Sequence, residues 1–481
     1  MSPRVLAVHP LRGLRPLIIP VVVVLVAGGT FDAGRIVTVP VALALVLVGS
    51  LVRWLTFTYR IRSDRLEISR GLLGRRTSTI PLDRIRGVDL TASALHRLLG
   101  LAVVRIEAAA GGERKNEGSL DAVTLEEAER LRAVLLRRAG VGGEPEPRSA
   151  DEEHVLAELR PAWWRYAPLS AGYLLAPLAV LGSIVGLASE VASDLGVDPT
   201  PETVRDAFEG GLVSPWLIIG LVAGFVVCVP LFAVASFALV NWHFRVLVRD
   251  GSLVCERGLL TRRSVSLERR KIRGFELREG ILERLGGAAS LQAVVTGVAD
   301  QAHRAQLLPI APRVAALTTA SRAVASFHTA LRPHPRAART RRLVRAVVPW
   351  ILLAGLAVAA HQIWLALAFG CVAALGIPLG LDRYRSLGHA TDEACVSVRS
   401  GSLRRVQAVV QHRAIVGWTI RQTWFQRRVG LATLVVGVGA GSGGYPAVDL
   451  AANEATAFAR EVAPELLAPF SLELSRGDGE C

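Results

Sequence analysis

Lysine is almost absent from this chain of 481 residues. All but two of its 56 basic residues are arginine, the exceptions being Lys115 and Lys271. The formal net charge is still +15, and the pI is about 10.8. Such an excess is one mark of nucleic-acid-binding proteins, but it is also typical of membrane proteins that gather arginine in their cytoplasmic loops. The positions of the arginines favour the second interpretation, so we expect no nucleic-acid partner.

Cysteine is scarce and catalytic motifs are missing. The five cysteines include no CxxC pair and no spacing with histidine that suits zinc, and no HExxH motif, paired-carboxylate pattern or nucleophile elbow is present. Residues 439–444 fit GxGxxG, but Tyr445 and Pro446 follow where a dinucleotide site needs a helix to begin. We interpret this stretch as a hairpin loop. The sequence predicts no disulfide, metal, cofactor or catalytic residue, and we expect a protein that is not an enzyme.

Apolar runs dominate the chain. Hydrophobic residues make up 51% and charged residues 20%, with a mean hydropathy of +0.40, so the polar residues are segregated from long apolar segments. Six runs stand out, at 17–30, 36–52, 167–189, 215–240, 347–361 and 363–381. The second, third and fourth are long enough to span a bilayer. We interpret all six as membrane spans because they come in pairs, each followed by a long polar stretch. No small-residue cleavage site follows the first run, so we expect no cleavable signal peptide.

The charges beside these runs predict an orientation. The stretch before the fifth run is rich in arginine and lacks acids, and arginines also flank the first two runs. The segment between the third and fourth runs has six acidic residues and a single arginine. Because positive residues collect on the cytoplasmic side, we expect a multi-pass protein of the cell membrane with both termini and all long polar stretches in the cytoplasm. No acidic residue lies in the middle of a span, which argues against an ion-coupled transporter.

One phrase of the sequence is repeated. "RGLLGRRTSTIPLDRIRGVDL" at 70–90 returns as "RGLLTRRSVSLERRKIRGFEL" at 257–277. A third copy follows the last apolar run; it keeps Arg404, Arg405 and Gly417 and, as we interpret it, loses the Gly-Leu-Leu turn. A second shared phrase, "LHRLLGLA", "LERLGGAA" and "FQRRVGLA", begins at 95, 282 and 425. An internal repeat of a membrane hairpin plus a polar domain therefore organises the chain.

Each polar copy predicts the same small fold. Short β-favouring segments flank a glycine turn, which indicates a hairpin. A third strand, a short helix with Ser and Thr caps, and a fourth strand follow. A longer helix closes each copy. We predict a small antiparallel sheet with a terminal helix over one face.

The repeated phrases resemble the bacterial pleckstrin-homology-like (PH-like) domain of the YdbS/YdbT-like membrane proteins. The resemblance is carried by the Gly-Leu-Leu turn at 71–73, the arginine pair at 75–76, "LDRIRGV" at 82–88 and "LHRLLGLAVVRI" at 95–106. The second copy matches at 258–260, 262–263, 272–274 and 282–289, whereas the third departs in its turn and in "HRAIVGW". The resemblance implies a PH-like sheet and terminal helix on the cytoplasmic side and no established enzyme activity. It also implies, for some members, an association with resistance to membrane-active antimicrobials.

The predicted fold class is membrane α-helical hairpins plus α+β: six transmembrane helices in three hairpins, each hairpin followed by a small antiparallel-sheet PH-like domain with a terminal helix. The predicted divisions are transmembrane hairpin 1 at 1–58, PH-like domain 1 at 59–140, a linker at 141–162, transmembrane hairpin 2 at 163–240, PH-like domain 2 at 241–330, a basic elbow and transmembrane hairpin 3 at 331–382, a degenerate PH-like domain 3 at 383–470, and a tail at 471–481.

The paired arginines after each turn are the candidate contacts for lipid or a protein partner: Arg75, Arg76, Arg262, Arg263, Arg404 and Arg405. Neighbouring strand residues point to opposite faces, so only one of each pair can reach a common ligand. These arginines either meet anionic headgroups of the inner leaflet, or they are charges on edge strands that keep the turn soluble and oppose strand pairing.

We therefore expect a non-enzymatic scaffold whose cytoplasmic domains bind the anionic inner leaflet, a protein partner or a smaller family relative, with self-association into a homo-oligomer as a further expectation. Envelope stress or antimicrobial resistance is the setting that the resemblance implies. The alternative is a transporter or lipid exporter with the hairpins forming the pathway.

Overall fold

The structure is a computed structural model that describes residues 58–62, 64–70, 76–82, 85–108, 118–138, 154–194, 214–249, 251–296 and 305–465. Contacts divide the chain into two units, Met1–Glu268 and Arg269–Cys481. The first two predicted spans and Arg75 lie outside the described residues.

The first unit has ten strands and four α-helices among its described residues, and a 3-10 helix at Pro161–Leu169. In chain order the elements are β1 (Thr58–Ile61), β2 (Arg65–Arg70), β3 (Arg76–Pro81), β4 (Ile85–Ser93), α1 (Ala94–Leu98), β5 (Leu101–Ala108), β6 (Ser119–Thr124), α2 (Leu125–Arg138), β7 (His154–Glu158), α3 (Ala171–Asp194), α4 (Pro215–Asn241), β8 (Arg245–Arg249), β9 (Ser252–Arg257) and β10 (Thr261–Glu268). The strands form a three-stranded sheet in the order β1-β2-β3 and a seven-stranded sheet in the order β6-β5-β4-β10-β9-β8-β7.

The second unit has nine strands and six α-helices in its described part. They are β11 (Ile272–Gly280), α5 (Ile281–Leu285), β12 (Ala288–Val295), β13 (Gln306–Pro312), α6 (Arg313–Ala323), α7 (Arg336–Ala359), α8 (Ile363–Arg385), β14 (Gly388–Thr391), β15 (Cys395–Gly401), β16 (Arg404–Gln411), β17 (Ile415–Arg421), α9 (Trp424–Arg428), β18 (Leu431–Val438), β19 (Gly444–Ala451) and α10 (Ala452–Val462). The sheets have the orders β13-β12-β11-β16-β15-β14 and β17-β18-β19.

The local elements follow the predicted pattern. The hairpin expected around the first Gly-Leu-Leu turn is formed, since β2 pairs antiparallel with β3 from Arg65↔Pro81 to Arg70↔Arg76. The closing helix α2 buries Ala128, Leu131 and Leu135 in the same core as β4 and β5, because residues three and four apart share one face of a helix. The glycine-rich stretch at 439–444 connects the antiparallel strands β18 and β19, which confirms the hairpin loop.

Strands of successive copies share a sheet, whereas the sequence predicted a separate small sheet in each domain. In the first unit β4 of the first copy pairs with β10 of the second, with Ser264 opposite Leu90. In the second unit β11 of the second copy pairs with β16 of the third, with Gln407 opposite Leu277. We call each of these pairings an inter-copy junction. Main-chain groups of a strand edge need a partner, and a strand from the next copy supplies it.

The predicted linker at 141–162 contributes a strand as well. β7 lies within it and pairs antiparallel with β8, from His154↔Val248 to Glu158↔Arg245. It therefore extends the seven-stranded sheet at its far edge. The sequence did not predict this strand, because the segment is polar and an edge strand with partly exposed side chains lacks a strong apolar alternation.

Three segments in the described part of the chain are long and apolar enough to cross a membrane: Val222–Asn241 within α4, Arg336–Ala359 and Ile363–Arg385. The last two are α7 and α8, the predicted fifth and sixth spans, and they pack closely. A Cβ on Gly376 would lie only 2.5 Å from the carbonyl oxygen of Ala346. In the third predicted span, α3 contains the shorter apolar segment Ala171–Val180.

The basic elbow predicted at the start of 331–382 is mostly helical. Pro335 occupies the N-cap position, and α7 begins at Arg336. Arg341 and Arg342 form ion pairs with the buried Asp449. These two arginines therefore bind a carboxylate of the third copy.

Two buried histidines lie beside the third-copy core. Nδ1 of His389 is 3.2 Å from Nε2 of His334, and the ring of His389 contacts Phe458 edge to face at 4.8 Å. Burial first, and then the charges of His334 and Arg332, lower the pKa of His389 to about 4 from the usual 6.5. Burial also lowers the pKa of His334. Folding therefore favours neutral rings at both positions.

Substitution of the turn glycines tests their backbone requirement. Gly258 and Gly401 have φ values of +104° and +109°, and an added Cβ would lie 2.1 Å from the carbonyl oxygens of Thr261 and Arg404 respectively. We expect Gly258→Ala and Gly401→Ala each to lower the unfolding free energy by about 2 kcal/mol or more. Thermal melts of the full chain in detergent would measure this. Gly417→Ala is the control, because its Cβ would meet no atom within 4 Å; equal effects at all three positions would contradict the interpretation.

Acid should destabilise the fold through His389. The pKa of His389 is lowered in the folded state, so its contribution to the unfolding free energy is intact above about pH 6.5. This contribution is lost as the pH falls towards about 4, because the unfolded chain takes up the proton at a higher pH than the folded chain does. The loss amounts to up to about 3 kcal/mol. Melting temperatures between pH 7.5 and 4.5 should fall less steeply for His389→Gln than for the native chain. Parallel pH profiles would show that His389 does not contribute.

Candidate functional site

The Gly-Leu-Leu turn of the second copy is fixed to the end of α4, whose apolar segment is long enough to cross a membrane. The N–H of Gly258 donates to the carbonyl oxygen of Trp242 at 2.9 Å, and the N–H of Leu259 donates to that of Leu239 at 3.0 Å. The last carbonyls of an α-helix have no partner within the helix. The turn supplies those donors to α4, so most of the repeated phrase is structural.

The third copy retains the turn, contrary to the expectation from sequence. Gly401 has nearly the same positive φ as Gly258, and the same close approach to the carbonyl three residues ahead. Ser402 follows where the second copy has Leu259, and its Oγ donates to Oδ2 of Asp382 near the end of α8 at 2.9 Å. The turn thus contacts the end of the preceding apolar helix, α4 or α8, in both copies, by main-chain bonds in one and by a side chain in the other.

An arginine of the preceding copy binds each turn. Nη1 of Arg97, on α1, donates to the carbonyl oxygen of Leu259 at 2.5 Å. Nη2 of Arg284, on α5, donates to the carbonyl oxygen of Ser402 at 3.2 Å. The two arginines hold the same place in the second repeated phrase, as does Arg427. Sequence reasoning aligned them but did not predict this contact, because their partners lie in the next copy.

A cavity of about 330 Å³ opens beside the second-copy turn, next to the end of α4. We call it the arginine cavity. Trp242 and His243 line it together with four arginines and two glutamates: Arg97, Arg245, Arg257, Arg262, Glu158 and Glu256. The charged side chains leave an excess of positive charge in a pocket beside the end of α4.

Glu256 organises the charges of the arginine cavity. Its Oε2 accepts bonds from Arg245 at 2.8 Å and from Arg262 at 3.2 Å. Burial alone would raise the pKa of Glu256, but the hydrogen bonds and charges of Arg245 and Arg262 outweigh it and lower the pKa below 4.5. The carboxylate is therefore ionised at neutral pH and holds both guanidinium groups at the cavity wall.

The predicted site residues have different surroundings. Arg262 lines the cavity with its side chain 58% exposed, while Arg263 is exposed and lies outside the cavity wall. Arg405 occupies the position of Arg262, so the third-copy pair lies one residue earlier than the second-copy pair. Arg404 is exposed. Arg76 lies on β3, and Arg75 is outside the described residues.

Arg405 has a structural partner. Its Nη2 lies 2.6 Å from Oε2 of Glu279 on β11, and Nε of Arg313 lies 3.1 Å from Oε1 of the same carboxylate. The Glu279 side chain is only 3% exposed. The strands β10 and β16 are interior strands of their sheets. The arginine pairs on these two strands therefore do not protect a free edge, contrary to the alternative interpretation.

The described residues contain no group of three or more His, Cys, Asp or Glu side chains that could hold a metal ion. Burial raises the pKa of the Cys255 thiol to about 12. At neutral pH this cysteine is therefore a protonated thiol, which is a poor nucleophile and a poor metal ligand.

Comparisons with known proteins agree with the repeat. The family "Bacterial PH domain" matches this chain three times, at residues 16–139, 210–348 and 343–466. Each match begins at or before a predicted membrane span and runs into the strands and helix that follow. The UPF0699 transmembrane protein YdbT of Bacillus subtilis (strain 168) is 27% identical over 268 residues, which is 53% of this chain and 52% of the relative. The chain thus spans about half the length of this curated relative. No solved structure matches.

The buried carboxylate between β11 and β16 should matter for stability. We expect Glu279→Gln to lower the unfolding free energy by about 3 kcal/mol, because it leaves Arg405 and Arg313 without their shared anion. Thermal melts of the full chain would measure the loss. The control is Glu461→Gln, which removes the partner of Arg332 from a pair whose side chains are 47% and 42% exposed; it should cost less than about 1 kcal/mol. Similar losses in both variants would contradict the junction role of Glu279.

Proposed function

We propose that this chain, which belongs to the bacterial PH domain family, is a non-enzymatic membrane scaffold whose arginine cavity binds the headgroup of an anionic lipid in the inner leaflet. The family match confirms the resemblance of the repeated phrases, and the described residues contain helices suited to a membrane. The observation that carries the proposal is the excess of arginine in a cavity beside the end of α4.

The surroundings of the cavity support a lipid ligand. Trp242 directly follows the membrane helix, and tryptophan favours the interface between the bilayer and water. Leu98 and Leu260 are 83% and 56% exposed, and each lies next to a partner of the contact between Arg97 and Leu259. Exposed apolar side chains beside arginines are the pattern of a surface that enters the headgroup region.

In the proposed arrangement the six predicted spans form three hairpins, and both termini and the PH-like domains lie in the cytoplasm. The arginines flanking the spans support this orientation. Because the domains are tied to the membrane, even weak contacts with lipid suffice to orient them. A protein partner or a smaller relative would then bind domains held at a fixed height above the bilayer. Nothing in the comparisons supports the alternative of a transporter.

Lipid selectivity tests the proposal. The purified full chain would be titrated in detergent with phosphatidylglycerol or phosphatidylcholine, and the bound lipid measured by native mass spectrometry. We expect phosphatidylglycerol to bind more tightly, and Arg262→Gln to weaken that binding about fivefold, since one basic residue near the surface contributes about 1 kcal/mol.

The neighbouring residue provides the control. Arg263→Gln removes the same charge from the same strand but outside the cavity wall, and it should leave the affinity for phosphatidylglycerol unchanged. Equal losses in the two variants would indicate a diffuse charge effect. No preference for phosphatidylglycerol in the native chain would reject the lipid site.

A further inference from the structure

We propose that β17 of one molecule pairs with β3 of a second molecule of this chain. Molecules then associate head to tail through a strand pairing of the same kind as the two inter-copy junctions. Among the described strands, β17 pairs with β18 alone and β3 with β2 alone. The second edge of each strand therefore presents main-chain N–H and C=O groups that a strand of another molecule can bind.

The two edges are complementary halves of one interface. In each inter-copy junction the fourth strand of one copy, β4 or β11, pairs with the third strand of the next copy, β10 or β16. β17 is the fourth strand of the last copy, and β3 is the third strand of the first copy. Among its described strands, each molecule thus has one fourth strand and one third strand without a junction partner. A second molecule supplies both partners, so no other structural element is needed.

Side-chain exposure marks the unused half on β17. Leu90 and Leu277 occupy one position of the repeat and are 8% and 1% exposed in their junctions, whereas Ile420 at the same position is 43% exposed. On the opposing strand Ser264 is buried and Thr77, its counterpart, is exposed. The positions that the two inter-copy junctions bury are therefore exposed on β17 and β3.

The short helix beside β17 provides an independent observation. Arg97 on α1 and Arg284 on α5 reach across to the neighbouring copy and bind a turn carbonyl. Arg427 on α9 has the same place in the repeat and is exposed, and its guanidinium has no partner in the described part of the chain. The arginine that holds a neighbour in both junctions is therefore available at the end of the chain.

The two existing junctions fix the register of the third. Ser264 lies opposite Leu90 and Gln407 opposite Leu277, so Thr77 should lie opposite Ile420, and Arg76 opposite Arg421. Like charges at directly opposite positions weaken strand pairing. The association should therefore be weak at low salt and strengthen as salt screens the two arginines.

Anchoring in one membrane raises the local concentration, and a head-to-tail contact produces rings or open chains.

Disulfide trapping between molecules tests the register. Two full-length chains with the five native cysteines replaced by alanine, one carrying Thr77→Cys and the other Ile420→Cys, would be given different tags, co-expressed and oxidised in their membranes. Directly opposite residues of antiparallel strands have Cα atoms about 4.5–5.5 Å apart, which suits a disulfide. We expect a covalent dimer that carries both tags.

A matched mixture controls for random collision. Ser78→Cys with Ile420→Cys moves one cysteine by a single residue to the opposite face of β3, and its yield of dimer should be at least about fivefold lower. Maleimide labelling of each single-cysteine chain would establish that all three thiols are accessible. Equal yields from the two mixtures would overturn the proposal, as would labelled thiols that give no dimer in either mixture.

Charge reversal gives a test in the opposite direction. Arg421→Glu replaces the opposed arginines by a complementary pair, so it should raise the yield of the Thr77–Ile420 crosslink, and salt should then lower that yield. A crosslink obtained only when both cysteines lie in one chain would show that β17 and β3 of the same molecule pair with each other, which would overturn association between molecules.

Discussion

The need of a strand edge for main-chain partners determines how the repeats are joined. The first and second copies each contribute a fourth strand whose outer edge would otherwise be open, and the third strand of the following copy covers it. The register is the same in both described junctions, with Leu90 and Leu277 at equivalent positions. Successive copies are thus linked by continuous sheets as well as by the chain, and loss of one strand would disturb two copies.

Ion pairs made by arginine stabilise this arrangement where strands and helices meet. Three carboxylates with little exposure are each shared by two arginines: Glu256 by Arg245 and Arg262, Glu279 by Arg313 and Arg405, and Asp449 by Arg341 and Arg342. The planar guanidinium group offers several donors in a fixed geometry, which suits a shared carboxylate better than the single ammonium of lysine. Two cations around one anion also leave each of these sites with an excess of positive charge, and the Glu256 site supplies part of the charge of the arginine cavity.

The repeated turn connects this network to the apolar helices α4 and α8. Gly258 and Leu259 donate main-chain bonds to the end of α4, and Ser402 bonds to Asp382 near the end of α8. Arg97 and Arg284 bind the same turns from the preceding copy. Each of these turns thus joins an apolar helix, its own copy and the previous copy. A ligand in the arginine cavity would therefore lie beside all three.

Patterns within a few residues of one another were sufficient to predict the elements of this protein. Apolar runs identified the helices α4, α7 and α8, glycine turns identified the hairpins, and a closing helix was predicted in the segment that contains Leu131 and Leu135. The sequence also contained the repeat and the candidate arginines, but it could not pair Arg262 with Glu256 or Arg405 with Glu279, because those partners depend on which strands become neighbours. The shared sheets escaped prediction for the same reason, since a main-chain edge has no side-chain signature. The sequence alone determined the family and the local structure, while the tertiary structure decided which edges are covered, because strand pairing joins residues that are far apart in the chain.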